Sequence, residues 1–132
     1  MIKRVTPKDI HPPLAHYAHA TEVPAGARWL VLSGQLGIAA DGSIPDDVEG
    51  QATLCFENIL AILREAGMDA SHLVRLTTYL TDQAHLGAYM RVRDRFVADP
   101  PPASTLLVVN SFSKKQFIVE IEAVAAKVDA DP

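Results

Sequence analysis

The chain has 132 residues, of which 48% are apolar and 21% charged, with a formal net charge of -4 at pH 7. This length suits one domain with a packed core, and the composition excludes a disordered chain. The acidic balance argues against a nucleic-acid-binding surface, and no apolar run is long enough to span a membrane.

The N-terminal part of the chain is predicted to be irregular. It has basic residues but no apolar core after them, so it does not resemble a secretory signal. Residues 1–16 are expected to lack regular structure because Pro7, Pro12 and Pro13 interrupt it. Cys55 is the only cysteine, which excludes an intrachain disulfide and fits a reducing, cytoplasmic location.

Short strands are predicted next, over residues 17–21 and 29–33. The second reads as a buried strand in which Trp29 is expected to be a core residue. The dipeptide Asp41-Gly42 is typical of a tight turn and predicts a hairpin between strands near 36–40 and 43–45.

Two helices are predicted. Residues 48–66 carry one apolar stripe at three- and four-residue steps, with Gln51 off the stripe and Gly67 at the left-handed stop. The stripe includes Cys55, which is therefore expected to be a core thiol. Residues 84–97 form the second helix, capped by Asp82, with Arg93 on its inner side.

Three further strands are predicted over residues 73–80, 104–109 and 117–125. In the last of these, alternate side chains point to opposite faces. One face is wholly apolar, whereas the other combines Ile118 and Val124 with the carboxylates Glu120 and Glu122. Such a mixture indicates a half-buried site, a pocket or a subunit interface, or else a solvated face with scattered apolar residues.

The order of elements predicts an α+β fold, a single domain over residues 1–132 in which two helices pack on one face of a mixed β-sheet. The other face of the sheet is then left open in a monomer. Because Ile118 and Val124 lie on that face, oligomerisation is expected to cover it.

Several segments resemble the Rid family of reactive intermediate (RidA-like) deaminases, in the same order along the chain. They are Ser33-Gly34-Gln35, residues 57–63, Ala66-Gly67, residues 77–82 and residues 119–125. The resemblance implies a chorismate-mutase-like fold and a homotrimer with a cleft between each pair of subunits. It also implies hydrolysis of small enamines or imines to a 2-keto acid and ammonia, with no metal or organic cofactor.

The resemblance also implies roles for particular residues. Glu120 matches the acidic residue that positions or activates the attacking water. Tyr17 matches a tyrosine of the cleft, and Ser33 and Gly34 match its serine-glycine wall. Thr105 stands where deaminase members often have a cysteine. The competing interpretation is a structural hydrogen bond for Glu120 and Ser33, a rim aromatic for Tyr17, and ordinary strand packing for Thr105.

One departure from the family pattern bears on activity. Deaminase members hold the substrate carboxylate with an arginine, and the matching position here is Ala103, which cannot supply that clamp. Met90 also replaces a usual asparagine. Arg93 is the arginine of the second helix that can substitute if its side chain points into the cleft.

Two functions of different classes therefore remain open. The first is hydrolysis of a small imine or enamine with Glu120 positioning water, and the second is non-catalytic binding of a small metabolite such as a keto acid. No metal is expected, because His11, His16 and His19 have no acidic or cysteine partner to complete a set. A role in RNA cleavage ranks last because no basic surface is evident.

Overall fold

The computed structural model describes residues 1–129. Its strands are β1 Lys3–Val5, β2 Ala20–Glu22, β3 Arg28–Leu36, β4 Leu73–Leu80, β5 Ala103–Val108 and β6 Val119–Lys127, and its helices are α1 Val48–Glu65 and α2 Leu86–Phe96. β1 and β2 pair with each other, and the remaining strands form a sheet in the order β3-β6-β4-β5. β4 and β5 run parallel and the other neighbours antiparallel. The predicted α+β architecture with a mixed sheet is confirmed.

The central strand β6 gives the sheet two different faces. Val119, Ile121, Ala123 and Ala125 are buried, whereas the residues between them are half-buried. We call the face of the buried residues the inner face, because it packs on α1 and α2, and the opposite one the outer face. The alternation predicted from the sequence is confirmed, although β6 begins two residues later than expected.

Both helices lie on the inner face and close the core. α1 contributes Phe56, Ile59 and Leu63, and α2 contributes Tyr89 and Val92, all 2% exposed or less. They pack on inner-face residues of the sheet, and each large apolar side chain buried in this way stabilises the fold by about 1.5–3 kcal/mol. No helix among residues 1–129 has the length and apolar content that crossing a bilayer requires.

The ends of α1 follow from local sequence. Asp47 is its N-cap, and the carboxylate accepts a hydrogen bond from the Gly50 amide at 3.0 Å. At the other end Gly67 adopts a φ of 72°. The amides of Gly67 and Met68 then donate to the carbonyls of Arg64 and Leu63, which is a Schellman cap. The predicted stop at Gly67 is confirmed.

Gln51 is buried, so its predicted position off the apolar stripe is wrong. Its Nε2 donates to the carbonyls of Pro45 at 2.9 Å and Gln116 at 2.7 Å, and its Oε1 accepts from the Ile118 amide at 2.9 Å. One side chain thus satisfies three backbone groups of two loops. Gly37 lies so close that a Cβ there would overlap Gln51.

Three predictions about the first part of the chain need correction. Residues 3–5 form β1, so the N-terminal segment is not wholly irregular, and the strand predicted at 17–21 is β2 at Ala20–Glu22. The hairpin strands near 36–40 and 43–45 are absent, although Asp41-Gly42 does form a turn closed by a bond from the Ala39 amide to the Ser43 carbonyl. The end of this segment leads into α1, and the Gln51 side chain holds it there through the Pro45 carbonyl.

Trp29 is not a core residue. It is 57% exposed, and Val31 beyond it is 77% exposed, because both point to the outer face while Leu32 points inward. The strand was expected to be buried, but β3 is an edge strand whose outer side is not covered by any of residues 1–129 of the same chain. The start of α2 also differs, since Asp82 caps a 3-10 turn at Gln83–His85 and the α-helix begins at Leu86.

We predict that Gln51→Leu lowers the free energy of unfolding by about 3 kcal/mol, because two carbonyls and one amide lose their partner. Urea denaturation followed by circular dichroism measures the change. Gln83→Leu, at an exposed position, is the matched control and is expected to change stability by less than about 0.5 kcal/mol. Similar midpoints for the two variants would show that the Gln51 amide is not required.

Candidate active site

Glu120 lies on the outer face near the middle of the sheet. Its strand β6 runs between β3 and β4, where the Cα partners of Glu120 are Leu36 and Tyr79. The side chain is half-buried within a single chain. The predicted catalytic carboxylate is therefore neither in the core nor freely solvated.

A β-bulge brings Ser33 and Gly34 next to Glu120. The pairing of β3 with β6 jumps from Leu32 opposite Ala123 to Gln35 opposite Ile121, so two residues of β3 face Glu122 alone. At Gly34 a Cβ would overlap Oε2 of Glu120. The carboxylate thus rests on the Gly34 backbone, in a place that only glycine leaves open.

The surroundings of Glu120 change its acidity. Burial, and secondarily the neighbouring Glu122 carboxylate, raise the pKa of Glu120. Glu122 itself accepts a hydrogen bond from the Tyr79 hydroxyl, and this bond raises the pKa of Tyr79. Among the described residues, the partner of the Glu122 carboxylate is thus a tyrosine hydroxyl.

Cys55 lies near Glu120, on the inner side of the sheet. It is fully buried, and its thiol donates to the Gln35 carbonyl at 3.2 Å. Burial, followed by the Glu120 charge, raises the pKa of Cys55 to about 12, so the thiol stays protonated and unreactive. Its predicted role as a core residue agrees with this placement.

Ala103 and Thr105 lie on the opposite edge strand, β5. They are opposite Arg75 and Thr77 of β4, on the outer face, and Thr105 is exposed. Two strands separate them from Ser33 and Gly34, a distance of about 14 Å at the usual spacing of about 4.8 Å per strand. A small ligand cannot contact both edges within one chain.

Tyr17 and Arg93 line a pocket of about 520 Å³ on the inner side of β5, beside α2. Tyr17 is held there by the Ala18 amide, which donates to the Pro102 carbonyl at 2.9 Å, and its hydroxyl accepts from the Leu14 amide at 3.1 Å. The remaining lining residues are Leu14, Ala15, Thr78, Leu86, Tyr89, Met90, Ser104 and Leu106.

The predicted site residues therefore lie in three places. Glu120, Ser33 and Gly34 are together on the outer face, and Ala103 and Thr105 lie at the other edge of that face, on β5. Tyr17 and Arg93 share the pocket on the inner side of β5. Sequence reasoning missed Tyr79, which binds Glu122, and Ser104, which lines the pocket. Tyr79 carries a usable signal, since alternation along β4 places it on the face of Glu122, whereas nothing local marks Ser104.

Comparison with known proteins identifies relatives along most of the chain. The family model described as Endoribonuclease L-PSP matches residues 8–127. Protein DfrA of Myxococcus xanthus is 36% identical over 121 residues, which are 90% of this chain and 88% of that protein. A protein of Escherichia coli named as a candidate reactive intermediate deaminase, TdcF, is 32% identical over 100 residues, or 72% of this chain and 76% of that protein.

A solved structure shares the fold. The crystal structure of YyfB from Yersinia pestis, a protein of unknown function in the conserved Rid protein family, superimposes with a TM-score of 0.86 at 26% sequence identity. The match covers 96% of this chain and 98% of that one. The helices and the mixed sheet described above are thus shared with that protein.

We predict that Glu120→Gln raises the melting temperature at pH 7.5 slightly, by no more than about 1–2 °C, because solvent screens the partly exposed carboxylate. A carboxylate whose pKa is raised on folding opposes folding once ionised, so its removal is stabilising above the unfolded pKa. Below about pH 4 the carboxyl is protonated in both states, and the gain is expected to vanish.

Thermal denaturation between pH 4 and pH 8 measures this effect. Glu57→Gln, at an exposed position of α1, is the control and is expected to show no comparable trend. A Glu120→Gln variant that is less stable than the wild type at pH 7.5 would contradict the electrostatic interpretation.

Proposed function

The chain belongs to the Rid family, whose model is described as Endoribonuclease L-PSP, and from this premise we propose that it hydrolyses a small enamine or imine to a carbonyl compound and ammonia. The observation that carries the proposal is the half-buried Glu120 carboxylate resting on the Gly34 backbone. The relation to TdcF supports a role of the same general kind.

The chemistry requires one group that can take and return a proton. An enamine first tautomerises to the imine. Glu120 then accepts a proton from water as the oxygen bonds to the carbon of the imine, whose nitrogen has been protonated by solvent, and this gives a neutral carbinolamine. The carboxyl next returns its proton to the nitrogen, the C–N bond breaks and ammonia leaves, while the hydroxyl proton passes to solvent as the carbonyl forms. The raised pKa of Glu120 favours both transfers near neutral pH.

Assembly of several copies would complete the site. Glu120 on the central strand β6 rests on Gly34 of the edge strand β3, whereas Thr105 lies on the other edge strand, β5. Two different patches that meet across an interface form a head-to-tail contact, which can close into a ring such as a trimer. The exposed apolar residues of the outer face, Trp29, Val31 and Leu107, support its burial against another copy.

A second candidate function is binding of a small metabolite without turnover. It is favoured by Ala103, which leaves no guanidinium at the position where deaminase members hold the substrate carboxylate. RNA cleavage has less support, since the outer face carries Glu120 and Glu122 and the chain has a net charge of -4.

Hydrolysis is tested with 2-iminobutanoate and 2-aminoacrylate generated in place by a serine/threonine dehydratase, with semicarbazide as a competing trap. The wild type is expected to lower the yield of semicarbazone. Glu120→Gln should reduce the rate by about 100-fold or more, as expected for loss of a general acid-base group. Glu57→Gln is expected to retain full activity. Turnover by Glu120→Gln equal to that of wild type would exclude the proposed role.

The shared site is tested by mixing two inactive variants. Glu120→Gln and Tyr17→Ala chains, unfolded and refolded together in equal amounts, are expected to recover about a quarter of the wild-type activity, since that share of contacts pairs two intact halves. Each variant refolded alone is expected to remain inactive. Absence of any recovery in a mixture that light scattering shows to be oligomeric would place the whole site within one chain.

A further inference from the structure

A buried guanidinium lies beside the pocket at β5. Arg93 is 2% exposed, and its Nη1 donates to Oδ1 of Asp94 at 3.2 Å. Its Nη2 is buried and has no hydrogen-bond partner among residues 1–129. An unsatisfied N–H on a charged group costs more than a neutral one, and native proteins contain few such groups. A ligand that accepts this hydrogen bond would explain its retention.

The residues around Arg93 form a pocket suited to a small ligand. Apolar atoms make up most of the pocket surface, and the polar groups are the Arg93 guanidinium, Ser104 and the hydroxyls of Tyr17, Thr78 and Tyr89. Thr78 and Tyr89 already share a hydrogen bond of 2.5 Å. A mostly apolar pocket with a few convergent polar groups is typical of small-molecule sites.

The formal charge of the pocket wall is positive. Among residues 1–129, Arg93 is the one charged residue that lines it. The nearest carboxylate, Asp94, contacts Nη1, and its side chain is 54% exposed. Nη2 thus has no acceptor among the described residues and belongs to a buried side chain that lines the pocket, where a charged hydrogen bond is strong.

We propose that this pocket binds the carboxylate of a small organic acid with an apolar substituent, and that Arg93 supplies from α2 the clamp that Ala103 cannot supply from β5. The inference rests on the proposed function, because it identifies the substrate of that hydrolysis as an imino acid. Met90 and Leu106 line the same pocket and accommodate the apolar part of the ligand.

Matched ligands test the charge requirement on the wild-type protein. Benzoate and benzamide have nearly the same shape, but only benzoate carries a charge. Titration calorimetry is expected to give at least about tenfold tighter binding of benzoate. In protein labelled with 15N-arginine, benzoate should shift the Nε resonance of Arg93 and leave those of Arg91 and Arg95 unchanged. Equal affinity for the two compounds, or no shift at Arg93, would overturn the proposal.

A pair of variants tests the residue. Arg93→Met keeps the approximate volume of the side chain and is expected to lose at least about tenfold in benzoate affinity. Arg95→Met, which removes an exposed arginine of the same helix, is expected to bind benzoate within about twofold of wild type. Undiminished binding by Arg93→Met overturns the proposal, and if that variant does not fold, the wild-type measurements decide.

Binding and turnover separate this inference from the proposed function. Benzoate binding that depends on Arg93, in a protein that hydrolyses neither imine, supports the inference and removes the proposed function. Hydrolysis of 2-iminobutanoate with KM unchanged in Arg93→Met removes the inference and leaves the proposed function in place.

Discussion

The hydrogen bonds of the Gln51 amide connect the elements on which the site depends. They join the loop before α1, through Pro45, to the segment that enters β6, through Gln116 and Ile118. Glu120 lies two residues beyond Ile118 along β6, so the Gln51 side chain fixes the position of Glu120 relative to α1. Gly37 completes the arrangement by letting the end of β3 approach the helix at Gln51. A polar residue in the core thus sets the register of the strand that carries the carboxylate.

The two faces of the sheet differ in role, because the inner face stabilises the fold and the outer face carries the candidate catalytic carboxylate. The inner face packs on both helices with apolar side chains, and this packing provides the cohesion of the fold. The outer face can therefore tolerate two nearby carboxylates and a bulge, each of which opposes folding slightly. Tyr79 lowers the free-energy cost of two nearby carboxylates by donating a hydrogen bond to Glu122. The Glu120 carboxylate has no hydrogen-bond partner among the described residues. Groups poised for reaction thus lie where the fold depends on them least.

Much of this fold follows from local patterns, because alternation and helical periodicity record which side of an element meets the core. The two faces of β6, the length of α1 and the stop at Gly67 were predictable in this way. Gln51 was not, since a hydropathy pattern does not distinguish an exposed amide from one that satisfies buried backbone groups. Trp29 was misjudged because burial on one face of an edge strand leaves the other face open. The separation of Tyr17 from Glu120 depends on strand order, which is a long-range property that no segment contains alone.

The overlap between a Cβ at position 34 and the Glu120 carboxylate has a consequence for redesign of this protein. A side chain at this position would displace the Glu120 carboxylate, so substitution of Gly34 alters the candidate catalytic group itself. The pocket beside β5 offers a separate place for variation, because Met90 and Leu106 line it and side chains of different volume can be exchanged there. Engineered variants that keep the Glu120 carboxylate in place are therefore expected to retain Gly34 and to differ from one another at Met90 and Leu106.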